Sequence, residues 1–155
     1  MKIIRVEPDN RKRAFVVTTR KGDFLFPYKR CDPSPAPSDR LADVYVDPEL
    51  GREGFTYRLE SGAEGTVHMD SVLDVNADPD YLARIELHQL TLEAKRRLDS
   101  SGLSARTVAA MLGTSPAQLY RLLDPTNYNK SARQLLALLA IGGATVTVSD
   151  TRQPA

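Results

Sequence analysis

Tryptophan is absent from this chain, histidine occurs twice, cysteine once, and aromatic residues make up only 6% of its 155 positions. A lone cysteine, Cys31, cannot form an internal disulfide, so a packed core must hold the fold. The two histidines, His68 and His88, lie in different predicted elements. Neither has a cysteine or carboxylate at metal-ligand spacing, and no zinc-type ligand set is expected. There is no phosphate-binding glycine loop, no serine elbow and no reactive context around Cys31. The chain is therefore expected to be no enzyme, and to need no cofactor or metal. No apolar run approaches the ~20 residues of a membrane helix. The start Met1-Lys-Ile-Ile-Arg5 leads into polar residues instead of a signal-peptide core. A cytoplasmic protein without membrane contact is expected.

Net charge is also scarce, at +1, but it is unevenly spread. Residues 1–90 hold 13 basic and 16 acidic side chains, whereas residues 91–133 hold seven basic against three acidic, a local balance of +4. Such polarity favours a nucleic-acid partner at one end only, because each neutralised phosphate releases condensed counterion. A balance of +4 is modest for one copy on one duplex. Double-stranded DNA bound by a homodimer on a pseudo-palindromic site is the arrangement expected.

What the basic segment contains is two helical stripes joined by a tight turn. Val108, Ala109 and Leu112 form one apolar stripe over about 104–112, and Leu119, Leu122 and Leu123 form the next. Two helices joined so closely approach best across a small side chain, which Ala109 supplies. Gly113 follows the last periodic residue, where a left-handed helix end costs glycine little. Ser115 as N-cap, Pro116 at the first helical position and Gln118 as the partner of a capping box restart the chain. Asp124-Pro125 stops it. Ser131 and Gln134 open a further helix in the same way, running to Gly143.

Over residues 91–148 this pattern of Val108, Ala109, Gly113, Leu119 and Leu122 resembles the Cro/repressor-type (Xre-like) helix-turn-helix family. The resemblance implies a second helix laid in the major groove and the 131–143 segment as its packing helix. It departs from the family at the end, where Ala144-Thr-Val-Thr-Val-Ser149 alternates like a β-strand.

On that reading Ser115, Ala117, Gln118 and Arg121 lie nearest the bases. Gln118 either reads adenine or serves only its cap; Arg121 either reads guanine or holds a phosphate. Ser104, Arg106 and Thr114 are expected at the DNA backbone near helix N-termini. The loop Asn127-Tyr128-Asn129-Lys130 is a phosphate clamp or an ordinary solvated loop.

The first 76 residues follow a different grammar. Six short runs rich in β-branched and aromatic residues, at 2–6, 14–19, 24–26, 42–47, 55–59 and 66–69, predict strands. Gly22-Asp23 and Ser61-Gly62 are expected to turn hairpins. Three prolines in Asp32-Pro-Ser-Pro-Ala-Pro-Ser38 exclude a central strand or helix there and predict a stiff surface loop. His68 is expected as a half-exposed strand residue and His88 on a helix surface. Asp78-Pro79 opens a long helix whose stripe is Leu82, Ile85, Leu90, Ala94 and Leu98.

The expectation is an α+β chain. A small antiparallel β-rich domain (1–76) for partner binding or dimerisation is followed by a connecting helix (77–90) and a helix-turn-helix domain (91–155) ending in a short strand. The β-rich part faintly resembles small domains of toxin-antitoxin gene pairs. That implies an alternative to a free repressor: an antitoxin-like protein that grips a toxin partner through its N-terminal domain, using an exposed sheet edge, and autoregulates its operon.

Overall fold

The computed structural model describes residues 1–150. It is a mixed α+β chain of two compact units, divided between Leu82 and Ala83, inside the segment expected as connector. Residues 151–155 of the expected C-terminal domain lie outside the described residues.

The first unit is built from two antiparallel meanders. β1 (Ile3–Asp9), β2 (Ala14–Thr19) and β3 (Gly22–Pro27) form one sheet; β4 (Leu41–Val46), β5 (Gly54–Leu59) and β6 (Glu64–His68) form the other. All six predicted strands are present, and together they bury one apolar core. Phe15 sits at its centre, with ring centroids 4.9 Å from Tyr28, 5.0 Å from Phe55 and 5.4 Å from Tyr57. Edge-on aromatic packing of this kind adds to the burial of large rings. In β5, Phe55, Tyr57 and Leu59 are buried as the alternation predicts, and so is Thr56, whose hydroxyl bonds Asp47 and Thr66.

The structure corrects several local expectations. The β2–β3 hairpin turns at Arg20-Lys21, not at Gly22-Asp23; Gly22 already pairs with Thr19, whose hydroxyl bonds the Gly22 carbonyl and receives the Lys21 amide. Met69 leaves the strand and opens a helix, α1 (Met69–Val75), which buries Met69, Val72 and Leu73. Seven residues are too few to show a helical period in the sequence.

Both outer strands of the first sheet are blunted by side chains. The Asn76 amide accepts from Leu25 N and donates to Leu25 O, as a neighbouring strand would, and the Arg52 guanidinium donates to the Ile3 and Ile4 carbonyls of β1. Occupied groups of this kind remove part of the template that an exposed edge offers.

α2 (Pro79–Ser101) begins at the Asp78 cap, whose carboxylate receives Tyr81 N and pairs with Lys21 at 2.9 Å. The second unit then adds α3 (Ala105–Leu112), α4 (Pro116–Leu122) and α5 (Ala132–Ile141). Ala94, Leu98, Val108, Ala109, Leu119, Leu122, Leu135, Leu138 and Leu139 form its core. The inward stripe of α2 runs through Leu87, Leu90, Thr91, Ala94 and Leu98; Ile85, expected on it, is exposed and Thr91 takes a buried place instead. The expected final strand is absent. Gly143, at φ 75°, closes α5, and residues 144–150 carry no regular structure. An all-helical unit offers the 144–149 run no strand to pair with, and a lone strand cannot satisfy its own backbone.

Candidate nucleic-acid interface

Local chemistry fixes α3, the turn and α4 in succession. Ser104 Oγ accepts from Thr107 N at 3.1 Å and caps α3. Gly113 adopts φ 69°, ψ 35°, and the amide of Thr114 reaches back to the Ala109 carbonyl at 2.9 Å, closing the helix end. Ser115 Oγ accepts from Gln118 N at 3.2 Å with Pro116 at the first position of α4. Only this half of each expected capping box forms. Ser131 likewise receives Gln134 N, while the Gln118 and Gln134 side chains make no return bond among the described residues. Gln118 is thereby released from the competing role that the sequence allowed it.

With Leu119 and Leu122 turned inward, Pro116, Ala117, Gln118, Tyr120 and Arg121 all face outward. Tyr120, 64% exposed, shares this face and was not among the residues expected on it. Its helical phase was the available signal: a seven-residue helix that buries 119 and 122 must expose 117, 118, 120 and 121. Ser104 and Arg106 are exposed at the start of α3, and Thr114 is half-buried in the turn. Among the described residues neither Arg106 nor Arg121 has a carboxylate partner. By contrast Arg96 and Arg97 share Glu93, at 2.7 and 2.6 Å, and these bonds hold the Glu93 carboxyl down to about 2.

In the 127–130 loop two side chains bond to the end of α4. Asn127 Nδ2 donates to the Arg121 carbonyl at 3.0 Å, and its Oδ1 receives Asn129 N. Lys130 Nζ donates to the Leu122 carbonyl at 2.9 Å, the Asp124 carbonyl at 2.6 Å and the Thr91 hydroxyl at 2.8 Å. These bonds satisfy the carbonyls left over at the C-terminal end of α4. Thr91 is fully buried and passes its own proton to Leu87 O. All three ammonium protons of Lys130 are engaged, and burial lowers its pKa. Of the proposed clamp, Tyr128 and Asn129 remain exposed, whereas Asn127 and Lys130 fasten α4 to its surroundings.

His88 is half-buried and Nδ1 donates to the Pro125 carbonyl at 3.1 Å; His68 is exposed at the end of β6. Among the described residues no group of three or more His, Cys, Asp or Glu is placed to hold a metal. Cys31 is buried, and desolvation raises its thiol to about 11. No helix of the described residues is long and apolar enough to cross a membrane.

The fold and geometry define a two-unit α+β chain whose second unit carries a helix, a glycine turn and an outward-facing helix. Comparison with family models, with curated proteins and with solved structures gave no match.

Proposed function

We propose that the chain is a sequence-specific DNA-binding transcriptional regulator, a repressor, that lays α4 in the major groove and acts as a homodimer. The observation that carries this reading is the outward face of α4: Gln118 and Arg121 project from a capped helix with neither side chain committed elsewhere. Amide and guanidinium groups are the side chains that read adenine and guanine edges bidentately. Arg106, equally unpaired, and the capped start of α3 suit phosphate contact. Lys130 and Asn127 serve the reading helix by holding its C-terminal end.

The antitoxin alternative relied on strand addition at a free sheet edge. Occupation of the β1 and β3 edges by Arg52 and Asn76 weighs against that mode in the first sheet, so the repressor reading is preferred.

The test is selection of duplexes from a random-sequence pool by the full-length chain, followed by affinity measurements at several salt concentrations. A recovered two-fold-related motif, bound with a steep salt dependence, is expected. Recovery of no motif together with salt-insensitive binding would refute it.

A further inference from the structure

We infer that the first unit carries a binding site for a small organic anion with a flat apolar body, in a cleft of about 500 Å³ between the β1–β2 hairpin and the proline-rich loop. This goes beyond the DNA-binding reading and does not depend on it.

The cleft is lined on its apolar side by Tyr28, Pro35, Pro37 and Leu41. Tyr28 is only 5% exposed, and its hydroxyl bonds Asn10 Oδ1, so the floor is fixed. The proline wall is equally fixed. Tyr57 donates to the Pro33 carbonyl at 2.6 Å, Ser34 donates to the Tyr28 carbonyl at 2.8 Å, and Ala36 and Asp39 exchange two backbone bonds of 3.0 Å. A cleft of this volume with an apolar wall lies in the size range of small-molecule sites.

The polar side supplies the charge preference. Arg13 and Arg40 both line the cleft, and neither has a carboxylate partner among the described residues. Their backbones are pinned, since the Arg13 carbonyl receives Tyr28 N and the Arg40 carbonyl receives Glu60 N, each at 2.8 Å. Arg13 also sits at φ 50°, a conformation that costs any residue but glycine. Arg13 and Arg40 line one cleft from two separate segments. Glu60 is the one acidic residue of the lining, so the site keeps an excess of positive charge. Guanidiniums recognise carboxylate or phosphate, and the exposed Pro37 and half-buried Leu41 offer apolar surface to a flat ring.

The full-length, isotope-labelled chain titrated with benzoate and with phenyl phosphate, followed by NMR, tests this. Saturable shifts at Ala36, Leu41 and the Arg13 and Arg40 side chains are expected, with phenol, acetate and inorganic phosphate each at least ~10-fold weaker. Arg13→Ser and Arg40→Ser should each weaken binding ~10-fold, and Glu60→Gln should tighten it, an outcome that misfolding cannot produce. The proposal is overturned if neither aromatic anion gives a saturable shift. Equal binding of inorganic phosphate and phenyl phosphate, or affinities indifferent to all three variants, would overturn it as well.

Discussion

Replacing Lys130 by alanine separates a side chain that binds phosphate from one that holds the end of α4. The ammonium makes three hydrogen bonds, to Leu122 O, Asp124 O and the buried Thr91 hydroxyl. Hydrogen bonds to a charged donor contribute about 1.5–3 kcal/mol each. Three offsets reduce the total. Partial burial of the charge already costs something, as its lowered pKa shows. Thr91 keeps its bond to Leu87 O, so its hydroxyl is not orphaned. The two carbonyls lie at a helix end that water reaches once the lysine is gone. A net loss of about 2 kcal/mol is expected, which for a unit of this size lowers the unfolding midpoint by about 8–16 °C. Helical ellipticity followed through thermal unfolding reads the shift, and DNA affinity against salt supplies the contrast. A structural lysine changes the midpoint and leaves the salt slope intact. A phosphate-binding lysine leaves the midpoint within about 2 °C of the parent and reduces the slope by about 1. The second result would refute the structural role.

Three further outcomes follow from particular contacts. In Gly65→Ala the new methyl falls on the Tyr57 hydroxyl and ring and 2.8 Å from the Asp32 carbonyl; breaking the Tyr57–Pro33 bond while overpacking the core should cost about 3 kcal/mol in chemical denaturation. Arg13→Gly relieves the φ of 50° and should raise stability by about 0.5–1 kcal/mol, even as it removes a cleft cation. Glu93 is held below its ordinary 4.5, first by Arg96 and then by Arg97. A depressed carboxyl contributes stability above its unfolded pKa and loses it as pH falls through the folded one. The melting temperature should therefore decline between pH 4.5 and about 2, and Glu93→Gln should flatten that decline.

Much of this molecule is legible in its sequence because the signals are local. Ser104, Ser115, Ser131 and Gly113 act through atoms three to five residues away, and strand alternation needs only a face to bury. What escapes the sequence depends on distant partners. The 144–149 run has strand propensity but no partner strand, so propensity loses to tertiary context. Lys130 looks like any exposed loop lysine until Thr91, 39 positions earlier, is placed beneath it. The Asn76 and Arg52 edge caps are set by contacts about 50 residues apart. Arg13 and Arg40 share a cleft only because the proline-rich loop folds over Tyr28. On α4 the helical phase that exposes Tyr120 is legible in the sequence, since Leu119 and Leu122 must face inward.

The central claim is that the outward face of α4 reads base sequence. Its most direct test compares the full-length chain with Arg121→Ala on the duplex recovered by selection and on duplexes mutated one base pair at a time. A loss of about 1–3 kcal/mol on the recovered site and relaxed discrimination at one base pair in each half-site are expected, with unfolding unchanged. Equal binding of every duplex by the parent chain, or an Arg121→Ala variant that discriminates as the parent does, would contradict it.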